Sequence, residues 1–194
     1  MAVEEDGLRA DARVNRDRIL AVAREALTAD PETPLSAISR AAGVGQGTLY
    51  RHFPTREALA LAIYRKEISA VAALASTLLQ EHPPLEAFRL WCAQLADSSA
   101  MKRGVAKLLQ GATSEDDARE AYQQMVSAVR SLIAACQAAG AIDRGANADD
   151  VLLLLGVLWQ IPSHSGSDAQ AARIIALIFR GLGAKDQPGS PAEP

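Results

Sequence analysis

One stretch, residues 35–53, limits what this chain can fold into more than any other: LSAISRAAGVGQGTLYRHF. Leu35, Ile38 and Ala42 recur at helical spacing and give a short first helix a single apolar face. Thr33 followed by Pro34 reads as an N-cap and a first helical residue. Gly43 suits the left-handed conformation that ends a helix, and Val44 can then plug the corner against Ile38. A second helix is expected from about Gln46, with Leu49 and Phe53 facing inward at i, i+4. Two short helices joined by a glycine-centred turn make a helix-turn-helix.

The second helix leaves Gln46, Thr48, Tyr50, Arg51 and His52 pointing mostly away from the core. Gln can read adenine bidentately, and Thr can bond a base edge or touch the thymine methyl. Tyr, Arg and His can hold phosphates. Gly47 lets the start of this helix approach DNA closely. Upstream, VNRDRILAVAREAL predicts a preceding helix with Ile19, Val22, Ala23, Ala26 and Leu27 on one apolar face.

With these residues in place, SAISRAAGVGQGTLYRHFPTREAL resembles the DNA-binding signature of the TetR family of bacterial transcriptional regulators. The match is ungapped, and with the preceding helix it covers roughly residues 13 to 64. The resemblance implies DNA contacts at Thr33, Ser36, Arg40, Gln46, Gly47, Thr48, Tyr50, Arg51 and His52, with Arg56 on a phosphate at the next helix start. Three positions depart from the usual pattern. Gly45 stands where a Ser cap is common, Arg56 where Lys is usual, and Asp30-Pro31 where a Gly-aromatic pair is common.

Composition fits an all-α chain. Hydrophobic residues make up 49% and aromatics only 4%, and no run of alternating β-branched residues suggests a sheet. The net charge of −3 is unevenly distributed: residues 7–56 hold eight arginines against five acids. Positive charge is thus concentrated where DNA would lie. The longest apolar run, 151–161, is too short to span a bilayer, and the acidic N-terminus is unlike a signal peptide, so a cytoplasmic location is expected. Cys92 and Cys136 lack CxxC spacing and read as buried thiols, with redox sensing as the alternative. No catalytic triad order, metal-ligand cluster, P-loop or dinucleotide fingerprint is present, so neither enzymatic activity nor a cofactor is expected.

The organisation expected is an N-terminal three-helix DNA-binding domain over 1–60, with 1–8 disordered, a larger helical ligand-binding and dimerisation domain over 61–183, and a disordered tail over 184–194. Thr55 can cap a long connecting helix to about Gln80, and Pro84 opens the next, followed by a shorter helix near 101–110. From Glu115 to Ala139, apolar residues repeat at steps of three and four, and Gly140 supplies a stop. Asn147 can cap a helix to about 161, and residues 168–183 form the last. These two helices are apolar almost all round, which points to a twofold, four-helix subunit contact through Val151, Leu155, Leu158, Ile174, Leu177 and Ile178, with a place in the internal core as the alternative. The family resemblance further implies an effector pocket, for which Phe88, Trp91, Leu95, Met101, Tyr122, Met125 and Trp159 are the candidate lining. The expected function is a homodimeric regulator, a repressor of a palindromic duplex operator, released by a small apolar or amphipathic effector. The alternative is a helical binding protein whose DNA-binding hairpin is vestigial.

Overall fold

Apolar residues at steps of three and four become helices along the chain. The computed structural model describes the backbone of residues 2–109, 113–161 and 166–184, and their side chains except at 2–12, 99–109 and 159. The helices are α1 (Ala2–Ala29), α2 (Leu35–Ala41), α3 (Gln46–His52), α4 (Arg56–Glu81), α5 (Pro84–Leu109), α6 (Glu115–Ala138), α7 (Ala148–Leu155) and α8 (Ser167–Gly181). A 3₁₀ turn, Gly156–Gln160, continues from α7. There is no strand among the described residues, so the chain is all-α.

Two compact units are present. The first comprises residues up to 69 together with 98–121, and the second 70–97 together with 122 onward. Helix α4 passes from the first unit to the second at 69/70. Within the first unit Lys66 meets Asp17 at 2.7 Å, Arg24 meets Glu67 at 2.8 Å, and Arg65 pairs with Asp117.

The core of the first unit is built from α1 to α4. Ile19, Leu20, Ala23 and Leu27 of α1 meet Ile38, Ala42, Leu49, Phe53, Leu59, Ala60 and Ile63, all buried. Residues 2–8, expected to be disordered, are instead the opening turns of α1. Of the expected tail, residues 185–194 lie outside the described residues.

In the second unit, Phe88, Trp91, Cys92 and Leu95 of α5 are wholly buried with Val129, Leu132 and Cys136 of α6. Phe88 meets Phe179 of α8 edge-on at 5.0 Å, and the Trp91 Nε1–H donates to the Val71 carbonyl at 2.7 Å. Burial pushes the Cys136 thiol up to about 11 and raises Cys92 further still, which favours the protonated thiol in both.

Helix ends follow local chemistry in several places. Asn147 Oδ1 accepts from the Asp149 and Asp150 N–H groups, and Thr55 Oγ1 accepts from Ala58 N–H. Gly140 (φ +67°) closes α6, with Ala141 N–H on the Cys136 carbonyl. Two expectations are corrected. The separate helix near 101–110 is the last part of an unbroken α5, because 98–109 contains no proline and only Gly104 as a weak helix former. The helix expected to reach 161 ends as α-helix at Leu155 and tightens into the 3₁₀ turn at Gly156.

Candidate nucleic-acid interface

The turn between α2 and α3 is built as the sequence suggests. Gly43 has φ +64°, its N–H bonds the Arg40 carbonyl at 3.1 Å, and Val44 N–H bonds the Ser39 carbonyl at 3.0 Å. These paired bonds form a Schellman motif, in which a left-handed glycine lets the chain reverse onto its own last turn. Val44 then packs on the cluster containing Ile38. Ser39, a buried polar side chain, satisfies its hydroxyl on the Ser36 carbonyl.

Two anchors orient α3. Leu49 is wholly buried and Phe53 nearly so, which fixes the rotation of the helix. Gln46, Gly47, Tyr50 and Arg51 are consequently exposed, Thr48 and His52 half-buried. Tyr50 keeps 48% of its surface exposed, a large aromatic with no core role. A Cβ added at Gly47 would meet nothing within 4 Å, so the protein leaves the first turn of α3 open on that side. On α2, Arg40 is exposed and Ser36 half-buried.

Two expected contacts are engaged elsewhere. Thr33 does not cap α2: Pro34, extended at ψ 142°, takes the N-cap position with no side-chain hydrogen bond. Thr33 Oγ1 lies 2.8 Å from the Asp30 carbonyl and 3.3 Å from that of Ala26, at the end of α1, to which it donates. Arg56, expected on a phosphate, donates to the carbonyls of Pro31 at 2.6 Å and Thr33 at 2.7 Å. Residues 30–33 form an irregular loop whose carbonyls need donors, and a guanidinium supplies several at once. The readings of 35–53 missed Arg16, whose guanidinium carbon lies 5.5 Å from the centre of the Phe53 ring. Its spacing from Leu20 and Ala23 was the available signal.

This geometry has relatives. A family model for bacterial regulatory proteins of the tetR family matches residues 19–63, and one for the C-terminal domain of SbtR-like transcriptional regulators matches residues 83–184. The solved structure of a TetR transcriptional regulator from Streptomyces coelicolor is 38% identical, covering 86% of this chain and 97% of its own, with a TM-score of 0.74. The chain belongs to the TetR family. A TetR transcription regulatory protein from Mycobacterium vanbaalenii is 32% identical, covering 90% and 98%, with a TM-score of 0.73. NalD of Pseudomonas aeruginosa, the secondary repressor of the MexAB-OprM multidrug efflux pump, shares the fold at 22% identity, 91% and 99% coverage and a TM-score of 0.59. Comparison with curated proteins gives no match.

In this TetR-family chain the residues expected around an effector divide. Phe88, Trp91, Leu95 and Met125 are packed core. Tyr122 is instead 48% exposed and donates its hydroxyl to Asp149 Oδ1 at 2.9 Å, a bond that raises its pKa. The side chains of Met101 and Trp159 lie outside the description. A separate open cleft of about 520 Å³ runs between α4 and α6, lined by Ala72, Ala75, Ser76, Leu79, Gln123, Gln124, Ser127, Ala128 and Ser131.

The residues expected at a subunit contact also divide. Val151, Leu155 and Leu158 are buried within one chain, as the alternative of an internal core position has it. Ile174 and Ile178 are half-buried and Leu177 is 57% exposed. The outward side of α7 and its 3₁₀ continuation is also apolar, with Leu153 76%, Leu154 53% and Val157 44% exposed. No described helix is long and apolar enough to cross a membrane. No described group of three or more His, Cys, Asp or Glu residues could hold a metal ion.

Proposed function

We propose that this TetR-family chain represses transcription as a homodimer on a palindromic operator, and leaves it when a small apolar or amphipathic effector binds the second unit. One observation carries the operator half: Leu49 and Phe53 lock α3 so that Gln46, Tyr50 and Arg51 are exposed, with Thr48 half-buried beside them. Amide, hydroxyl, phenol and guanidinium groups on one short helix match major-groove readout with phosphate positioning around it. Ser36, Arg40, Gly47 and His52 flank this set. A single short helix reads only a few bases, so two copies about a twofold axis supply a usable site.

Dimerisation is supported by the exposed apolar residues of α7, its 3₁₀ continuation and α8, namely Leu153, Leu154, Val157 and Leu177, which a second copy could cover. For the effector, the cleft between α4 and α6 has the size of small-molecule sites and a mostly apolar wall with a few hydrogen-bonding groups. Helix α4 belongs to both units, so an effector beside its second half shares an element with the DNA-binding unit. The repressor role accords with NalD, which has this fold.

The test is enrichment from a random duplex pool by the full chain. Selected sequences should be palindromic, bind steeply less tightly as salt rises, and lose affinity with Thr48→Ala or Tyr50→Ala while helicity is unchanged. Absence of any enriched sequence would overturn the operator-binding proposal and leave the helical binding protein.

A further inference from the structure

The core-facing side of α1 changes character where the helix passes beyond the core. From Ile19 to Leu27 that side is apolar, with Ile19, Leu20, Ala23 and Leu27 buried. Toward the N-terminus the same side carries Arg16 and Arg13, because 13, 16, 20, 23 and 27 follow the three- and four-residue steps of one helical face. Both arginines are exposed. Val14, 62% exposed, and Arg18, bonded to Asn15, lie on the other side.

Arg16 shows what this face meets. Its guanidinium stands over the ring of Phe53, the residue that closes α3 with its N–H on the Leu49 carbonyl. Attraction to the ring holds the guanidinium plane without using its N–H donors, which stay available to an acceptor. Arg13 is three residues back, about 4.5 Å along the axis. Among the described residues it has no ion-pair or hydrogen-bond partner. The Asp17 carboxylate is held by Lys66 at 2.7 Å, which with a weaker charge attraction from Arg16 keeps it below the usual carboxylate range, so it forms no ion pair with either arginine and offsets only part of the Arg16 charge. The Arg16 guanidinium therefore stands beside the end of the helix that carries Gln46, Thr48, Tyr50 and Arg51, with Arg13 exposed one turn back on the same side of α1.

We propose that Arg13 and Arg16 form a second DNA contact, gripping the sugar-phosphate backbone that flanks the base pairs facing α3. The inference rests on the operator-binding proposal above and adds reach without sequence preference. Paired, planar donors that form no ion pair with a carboxylate among the described residues fit phosphate oxygens, which accept forked hydrogen bonds from arginine. The contact lengthens each half-site outward.

The experiment uses the full chain and a duplex enriched by the wild-type protein, with affinity followed by fluorescence anisotropy over a range of salt. Arg13→Gln should bind several-fold more weakly at low salt, and the slope of log affinity against log salt should become shallower by about 0.9 for each phosphate contact removed. Arg13→Lys should restore most of the slope, and both variants should keep the wild-type sequence preference. Arg16→Gln should act in the same direction, and thermal melting of each free variant separates loss of the Phe53 contact from loss of DNA. If the wild-type duplex binds with steep salt dependence and Arg13→Gln matches it in affinity and slope, this inference falls and operator binding stands. A changed preferred sequence would overturn the backbone assignment. If the wild-type protein enriches no duplex, the operator proposal fails, and this inference with it.

Discussion

At the scale of single residues, the helix-turn-helix shows side chains chosen for different partners than their types suggest. Gly45 occupies the N-cap of α3 at φ −65° and ψ 146°, angles open to any residue, and provides no side-chain acceptor. A Cβ there would meet only Thr48 Oγ1, at 4.0 Å. Gly45→Ser should therefore raise stability by a few tenths of a kcal/mol, about the usual difference between these two caps, measured by urea unfolding. An unchanged midpoint would mean that the first N–H groups of α3 are already satisfied. Arg56 has the opposite character: a cation near the candidate interface, it holds the carbonyls of Pro31 and Thr33. Arg56→Ala should cost about 1–3 kcal/mol, as expected for hydrogen bonds to a charged group with partners left half-buried, and should leave the salt slope of DNA binding unchanged. A shallower slope with unaltered stability would return Arg56 to the phosphates.

At the scale of elements, the start of α6 is the most elaborate joint in the first unit. Ser114 and Asp117 cap each other: Ser114 N–H and Oγ–H donate to Asp117 Oδ2, and Asp117 N–H donates to Ser114 Oγ. Arg65 of α4 pairs with the other carboxylate oxygen. The Arg65 hydrogen bond first, then those from Ser114, hold the Asp117 carboxyl below its ordinary value of 3.8. Because the folded value lies below the unfolded one, this contribution is present above the unfolded value and is lost as pH falls through the folded one. Asp117→Asn should be less stable than wild type at pH 7, and the two unfolding curves should converge as pH falls below about 4. A constant difference between pH 7 and pH 3 would remove the carboxylate from this role. Local signals missed the continuity of α5, since Pro84 marks its start clearly while nothing between 98 and 109 carries a comparable stop.

At the scale of the whole molecule, assembly depends on which side of an all-apolar helix is already occupied. Leu155 and Leu158 are taken up by the protomer, so charge at either would unfold the chain and say nothing about a dimer. Leu154→Glu and Leu177→Glu place the charge on exposed groups instead. Each should keep helicity and melting temperature close to wild type while shifting sedimentation from dimer to monomer at micromolar concentration. A wild-type monomer at that concentration would remove the subunit contact. If an effector displaces the operator as proposed, the coupling is reciprocal: one that weakens operator affinity tenfold must itself bind the operator complex about tenfold more weakly.

The sequence by itself determined what depends on neighbours within a few residues. Helical periodicity gave the all-α class, Gly43 and Gly140 their left-handed stops, Asn147 and Thr55 their caps, and Leu49 with Phe53 the inward side of α3. Each follows from backbone geometry or a hydrogen bond across one turn. Only the tertiary structure decided that Leu155 is inside while Leu154 is exposed, that Arg56 reaches back to the loop at 31–33, and that Arg16 lies over Phe53. A helix apolar on all sides carries no periodic signal for which side is buried, and a long cation can satisfy a carbonyl or a phosphate equally well by its chemistry. Those choices were made by packing between segments far apart in the chain.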